Sequence, residues 1–522
     1  MAGPSNGVRD GLSSVTVGTL LMLLGTLGFV GQGFISRVIL ARTLSPVEWG
    51  QFSLGLALAG LLSSIGTLGL PSAIARNLPF SRGDGERRSI VHSSFVVTLT
   101  SAVLVSFGLF LFGVYVGDTY GAGTLSLTIE LFGVAVGLSI LSTWIASVFQ
   151  GYEDVLPNAL FLQVVNPGLF IVFLIVALRT TSSAAFYTGA LVAYVGAAVV
   201  TFVAIALYGR RRLRRRLPDG PRSPGASRTL FRFALPLFFV SALGFATGNA
   251  DTLIVGIYHQ ASVGFYTADL SLARLVPVGV GALSYIYLPV ASRFIRAGDT
   301  EAIRVTYVTA TKWMVLTSLP MFVVFFFLPA SSLAFVYGPA YSGTTEPLRI
   351  IVLGAFLSTL VGPASAAQVS YGQTRLLVLN NAISAGMDIV LSLLLIPGLG
   401  ITGAAIAWAT ATFVNAFLSM AELAIWADLH PVRAHYLVPV VGTSLPFVAA
   451  FLLFTVPFPL WSLPLLVLGI ALAFFGVVLV TGSIDQGDRL VLEVVERMIG
   501  RPIRLLRRVG AWGVRHPIFR VR

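Results

Sequence analysis

Ionisable and amide side chains set inside otherwise apolar runs carry the chemistry this chain can offer. Arg37 sits late in the first run, and Asp251 lies in the outer half of the seventh, within GNADTLIVGIY. Asp269 and Arg274 share the eighth run, and Asp388 is near the middle of the eleventh. An acid at the centre of a bilayer costs about 2.5–3.5 kcal/mol on insertion scales, so each such group is expected to have a partner, a wet cavity or a task. Arginine presents a planar, permanently charged fork that grips phosphate through two hydrogen bonds. Carboxylates can pair with those arginines or bind a coupling cation. Asp269 and Arg274 are five apart, ~140° around a helix at 100° per residue, so they cannot simply neutralise each other. Gln32, Asn249 and Asn380 are amides able to bond ligand hydroxyls, although amides inside membranes also join helices. Glu130, Glu422, Lys312 and Arg349 fall near the ends of apolar runs, where snorkelling to the interface accounts for them.

The elements that must position these groups follow from composition. Of 522 residues, 56% are hydrophobic and 11% charged, with mean hydropathy +0.89. Soluble domains carry about 25% charged residues. Apolar runs of helical span length recur along the whole chain without period-two alternation, which predicts an all-α polytopic membrane protein and argues against a β-barrel. About fourteen spans are expected. They fall near 15–40, 52–72, 90–114, 125–148, 157–178, 185–208, 232–257, 264–290, 309–330, 347–368, 376–396, 401–425, 435–455 and 460–481. The first is too long for the h-region of a cleaved signal peptide. The absence of cysteine excludes disulfides and thiolate chemistry. His92, His259, His430, His435 and His516 form no metal-ligand spacing, and no cofactor is expected. Lys312 is the only lysine, so no Gly-x-x-x-x-Gly-Lys phosphate loop exists, and any active transport must be secondary.

The net charge of +13 does not signal nucleic acid, because the arginines cluster in short loops between spans. The loop after the second span holds Arg82, Arg87 and Arg88. YGRRRLRRRLPDGPRSPGASRTLFR follows the sixth, and Arg293, Arg296 and Arg304 follow the eighth. The alternate loops near 115–124, 258–262, 331–346 and 456–460 hold no arginine or lysine. The positive-inside rule then places both termini in the cytoplasm of a cell-membrane protein. Five segments are expected. They are an N-terminal six-helix bundle (1–208), a basic linker (209–231), a second six-helix bundle (232–430), two additional helices (431–482) and a basic amphipathic tail (483–522) on the inner membrane surface.

The two bundles are read as a repeat. RVILARTLSPVEWGQFSLGLALA from Arg37 aligns without a gap on DTLIVGIYHQASVGFYTADLSLA from Asp251. Gly50-Gln51-Phe52 falls on Gly264-Phe265-Tyr266, and LPSAIAR (Leu70 to Arg76) resembles LPVASR (Leu288 to Arg293). An even number of spans separates the copies, so they run parallel, related by an axis along the membrane normal with the substrate path between them. Arg37 and Asp251 then occupy equivalent places, either on the walls of a polar cavity or close enough to the outer interface to be hydrated.

ILARTLSPVEWGQFSLGLAL, GLPSAIAR, ADTLIVGIYHQASVGFYTAD and LLLIPGLGITGAAIAWATAT together resemble the Wzx-type polysaccharide biosynthesis flippases. These are a branch of the multidrug/oligosaccharidyl-lipid/polysaccharide exporter (MOP) superfamily. The resemblance covers roughly residues 10 to 480. It implies a MATE-like fold of two six-helix bundles, often with two more helices, around a central cavity lined with cationic groups. The implied cargo is a lipid-linked oligosaccharide on a polyprenyl- or dolichyl-phosphate carrier, moved from the inner to the outer leaflet by alternating access. Arg37 and Arg274 would hold the phosphate, with Gln32, Asn249 and Asn380 on the sugars. Asp251, Asp269 and Asp388 would be charge partners or the site of a coupling cation, H+ or Na+. The expected partners are this substrate and the membrane lipids, with the chain a monomer. A cation-coupled multidrug exporter of the same superfamily is the alternative. A membrane glycosyltransferase or polymerase is disfavoured by the short outward loops, and a scaffold by the repeated buried charges, so no enzyme activity is expected.

Overall fold

The computed structural model describes Gly28 and residues 31–81, 83–120, 123–213, 226–430 and 462–480. The expected helix at 435–455 and the tail from 483 lie outside the described residues, as do most of the first span and residues 214–225 of the linker. The described residues are overwhelmingly helical. In order they form α1 (31–43), α2 (Pro46–Gly66), α3 (Leu70–Asn77), α4 (Asp84–Tyr120), α5 (Gly123–Gly151), α6 (Asn166–Thr180), α7 (Phe186–Leu213) and α8 (Ala226–Tyr258). They continue through α9 (Val263–Ala273), α10 (Val278–Ala297), α11 (Thr300–Phe327), α12 (Pro329–Tyr337), α13 (Thr345–Thr359), α14 (Ala364–Ser370), α15 (Thr374–Leu399), α16 (Ile401–Ala427) and α17 (Leu463–Val480). Among the described residues, eight helical stretches are long and apolar enough to cross a membrane, or up to ten if each of two bent pairs is one span. The expectation of fourteen is compatible with this. The first and thirteenth spans are largely or wholly undescribed, the eighth is broken between α9 and α10, and the fourteenth is α17.

Two compact units divide at Gly264/Phe265. In the first, α2 opens on a capping box, six residues before the apolar run 52–72 begins. Ser45 accepts from the Glu48 N–H at 3.3 Å, Glu48 accepts from the Ser45 N–H at 2.9 Å, and Pro46 follows the cap. This capping box satisfies two of the orphan donors of a helix start. An aromatic cluster then ties four helices together. Phe52 (α2) meets Phe132 (α5) edge-on at 5.3 Å, while Phe170 (α6) lies 6.2 Å and Tyr194 (α7) 6.1 Å from Phe52. Tyr194 stacks on Phe132 at 4.4 Å. At the other end of the unit, Leu70 and Ile74 (α3), Val148 and Phe149 (α5) and Leu230 and Ala234 (α8) share a second core.

Between α2 and α3 the chain breaks and bends by 41° at Thr67–Gly69. Gly69 has φ +67°, and a methyl there would lie 2.4 Å from the Ala234 carbonyl oxygen. Only glycine satisfies both the left-handed backbone and that approach. The α8 helix packs on α2, α3 and α4, and so belongs to the first compact unit, although the repeat makes it the opening span of the second half. Gly50 and Gly264, equivalent in the repeat, lie backbone against backbone.

In the second unit, α11 packs on α10 and α13, α13 on α16, and α15 on α16. Tyr287 (α10), Tyr307 (α11), Ala367 (α14) and Leu423 (α16) meet in one core. The Tyr307 hydroxyl donates to the Val361 carbonyl at 2.6 Å, which holds the loop between α13 and α14.

Candidate functional site

The sequence-derived polar groups fall into three settings. The first is around α1. Arg37 is half-buried, and so is Gln32 one turn and a half earlier. The Gln32 amide lies against Gly168, and its Oε1 is buried with no hydrogen-bond partner among the described residues. Gly168 follows a π-helical stretch, Asn158–Val165, that runs directly into α6. Gln163 in that stretch also buries an unpartnered Oε1. The π geometry is rare and recurs at functional sites. Sequence reasoning missed Gln163, because the apolar run 157–178 reads as uninterrupted helix.

The second setting is α8. Asp251 is fully buried (0% exposed). Its Oδ1 accepts from the Thr252 N–H at 2.6 Å and faces the Thr252 hydroxyl at 3.3 Å. Asn249, one residue beyond Gly248, is half-buried and donates to the Phe245 carbonyl at 3.3 Å.

The third setting is the second unit. Asp269 on α9 is fully buried, and its Oδ1 accepts from the Thr344 hydroxyl at 3.0 Å, while Oδ2 has no partner. Arg274 is half-buried just past the end of α9, where the chain breaks before α10. Thr344→Val should therefore strip the carboxylate of its donor and destabilise the fold by about 1–3 kcal/mol. Asp269→Asn in the same background should recover much of that loss, because a neutral amide tolerates burial better. Thermal unfolding of the purified single and double variants measures both effects.

Along α15, Asn380, Ser384, Asp388 and Ser392 recur every fourth residue, so they share one helix face, and all four are buried. Ser384 donates to the Ala411 carbonyl of α16 at 2.9 Å, and Asn415 donates to Asn381 at 2.9 Å. Asn380 donates to Glu422 at 2.9 Å and to Ser419 at 3.3 Å, while Gln368 of α14 donates to the same Glu422 oxygen at 2.5 Å. Of the residues assigned to span ends, Lys312 is placed differently, whereas Glu422 does lie in the last two turns of α16. Lys312 is 3% exposed near the middle of α11, and Glu422 is half-buried and held by two amides. The apolar run 309–330 begins just before Lys312, but the helix itself starts at Thr300, so the charge falls well inside it. Arg349 does sit at a helix end, donating to the Phe326 carbonyl at 3.0 Å.

Long apolar helices with charges and amides buried between them define a polytopic membrane protein. The chain belongs to the polysaccharide biosynthesis protein family, whose family model matches residues 15–295. A second family model, MatE, matches residues 236–394. A succinoglycan biosynthesis transport protein, ExoT of Rhizobium meliloti (strain 1021), is 30% identical over 118 residues, 23% of each chain. The chain thus spans about a quarter of that relative's length. An uncharacterized membrane protein of Methanocaldococcus jannaschii, MJ1068, is 21% identical over 424 residues, covering 75% of this chain and 80% of that one. Among solved structures, the lipid II flippase MurJ in an inward closed conformation superposes with TM-score 0.67 at 15% identity, over 88% of this chain and 98% of that one. An inward-facing MATE multidrug resistance transporter of the MOP superfamily gives 0.55 at 18% identity, over 78% and 94%. The fold is therefore that of the MOP exporters, as the sequence motifs implied.

Proposed function

We propose that the chain carries a lipid-linked oligosaccharide from the inner to the outer leaflet of the cell membrane, with both termini in the cytoplasm, as a monomer. The supporting observation is the family match over residues 15–295, the stretch that holds Arg37, Asp251, Asp269 and Arg274. A sugar-phosphate headgroup needs cations for its phosphate and amides for its hydroxyls. Arg37 and Arg274 supply the first, and Gln32 and Asn249 the second. Asp251 and Asp388, dry and fully buried, are the charge partners that keep such arginines oriented. The names of the relatives, a succinoglycan transport protein and a lipid II flippase, fit a polyprenyl-type phosphate carrier. The sequence repeat supports alternating access between two six-helix halves, 1–208 and 232–430, joined by the basic linker 209–231. An inside-negative potential favours outward movement of an anion by ~2.3 kcal/mol per charge per 100 mV, so an ion gradient is needed only where arginine charge moves with the phosphate.

The MatE match over residues 236–394 favours a second reading, cation-coupled export of drugs. Purified chain in proteoliposomes separates the two. Fluorescent polyprenyl-diphosphate oligosaccharide should become accessible to a membrane-impermeant quencher faster than in protein-free vesicles, without ATP. Ethidium uptake driven by an ion gradient, with no headgroup exposure, would favour the exporter.

A further inference from the structure

We propose that Gln163, together with Gln32, reads the sugar part of the headgroup by accepting hydrogen bonds from its hydroxyls. The pair would set specificity for the glycan and leave the phosphate to the arginines. This rests on the transport reading above and adds a residue that the reading does not use.

Pro167 accounts for the unusual backbone that carries Gln163. In an α-helix the N–H of residue 167 would return to the carbonyl four residues back, which is that of Gln163, and proline has no N–H to give. Residues 158–165 take the wider π form instead, and the Asn166 N–H donates to the Phe161 carbonyl five residues back. Such wide turns recur at functional sites. Pro167 then stands in the first turn of α6, followed by Gly168. Gln32 of α1 reaches this same segment, because its Nε2 lies 3.6 Å from the place a Cβ on Gly168 would take. Both glutamines belong to the first compact unit.

The Oε1 atoms of both amides are buried and have no donor among the described residues. Each side chain as a whole is only half-buried. Amides that simply hold helices are bonded in this chain. Asn381 and Asn415 pair across α15 and α16 at 2.9 Å, and Asn77 donates to the Ala73 carbonyl of its own helix at 2.8 Å. A carbonyl oxygen only accepts, so whatever completes Gln32 and Gln163 must bring donors. A fully ionised phosphate brings none. A sugar brings a hydroxyl on most of its carbons, and in a lipid-linked headgroup it lies next to the phosphate. A half-turn of the broad terminal torsion of glutamine exchanges its oxygen and nitrogen. The same amide can therefore meet hydroxyls that donate and hydroxyls that accept. Buried polar groups left unpaired are also the means by which a site rejects an analogue that lacks the matching hydroxyl.

The test uses the full chain in proteoliposomes with three fluorescent polyprenyl-diphosphate probes. One bears a neutral tetrasaccharide, one the same glycan with every hydroxyl O-methylated, and one no sugar. O-methylation removes the donors and keeps the acceptors. Wild type should expose the hydroxylated probe roughly 5- to 150-fold faster than the methylated one, the range expected when a buried hydrogen bond loses one partner. Gln163→Met has similar length and no amide. It should shrink that ratio toward one and leave the sugar-free probe at its wild-type rate. Gln163→Glu keeps an acceptor oxygen and should retain part of the preference, whereas Arg37→Ala should slow all three probes. Gln32→Met makes the same comparison if Gln163→Met does not fold. A folded Gln163→Met protein that keeps the wild-type ratio, or that slows all three probes equally, overturns the proposal. Retention of the free tetrasaccharide by the chain in nanodiscs, read by equilibrium dialysis, should be weaker for Gln163→Met than for wild type, and equal retention also overturns it. A wild-type chain that binds the tetrasaccharide through Gln163 but moves no probe would sink the transport reading and leave the sugar contact standing.

Discussion

Arg37→Ala should reduce headgroup translocation by roughly 30-fold to a few thousand-fold. That range converts the ~2–5 kcal/mol lost when one partner of a buried, hydrogen-bonded charge pair is truncated, at 1.4 kcal/mol per tenfold. Arg37 is half-buried on α1, late in an apolar run, with the Gln32 amide one turn and a half away on the same helix. A phosphate entering there would meet the guanidinium fork in surroundings poor in water, where charge-assisted bonds are about twice as strong as neutral ones. Arg37→Lys keeps the charge and loses the two-pronged geometry, so it should fall between wild type and alanine. Arg42→Ala is the control. It lies on the same helix but is exposed, and the rate should be unchanged. The measurement is the rate at which fluorescent lipid-linked oligosaccharide becomes accessible to an outside quencher. An Arg37→Ala protein that flips at the wild-type rate would remove Arg37 from the phosphate site.

The second large effect is structural. Gly264→Ala should cost about 3 kcal/mol or more and lower the recovery of folded protein. A methyl group there would sit 1.9 Å from the Pro46 carbonyl oxygen, 2.9 Å from the Pro46 carbonyl carbon and 3.0 Å from the Gly50 nitrogen. All three are backbone atoms, so no rotamer change relieves the clash, and the start of α2 must move away from α9. Overpacking typically costs about 1–3 kcal/mol, more when backbone has to shift. Gly281→Ala makes the comparison. Nothing lies within 4 Å of its added methyl, and alanine is favoured over glycine in a helix by up to about 1 kcal/mol. Thermal stability followed by size-exclusion chromatography should rank Gly281→Ala at or above wild type and Gly264→Ala far below. Equal melting of Gly264→Ala and wild type would mean that the close approach of the two glycines is not needed for the fold.

Much of the architecture was legible in the residues. The spans at 90–114, 125–148, 376–396 and 401–425 fall inside α4, α5, α15 and α16. The candidate site was less legible. Asp251 stood out as an acid in an apolar run, but its complete burial depends on the elements around α8. Glu422 was passed over because its nearness to a span end suggested snorkelling to water. Its partners, Gln368 and Asn380, are 54 and 42 residues away, and no local pattern connects them. Lys312 was misjudged because hydropathy marks where a run is apolar, not where its helix begins. Gln163 was hidden by π geometry that no periodicity in 157–178 betrays.

The sequence by itself determined that this chain crosses a membrane many times as helices and belongs to the polysaccharide biosynthesis protein family. The physical reason is that lipid solvates no backbone, so length and hydropathy of each run force a helix whatever its neighbours. The tertiary structure decided which ionisable groups are dry, which amides face them, and that α8 packs with α2 and α3. Those outcomes depend on contacts between helices distant in the chain, where solvation and hydrogen bonding are set by the partner and not by the run that carries the residue.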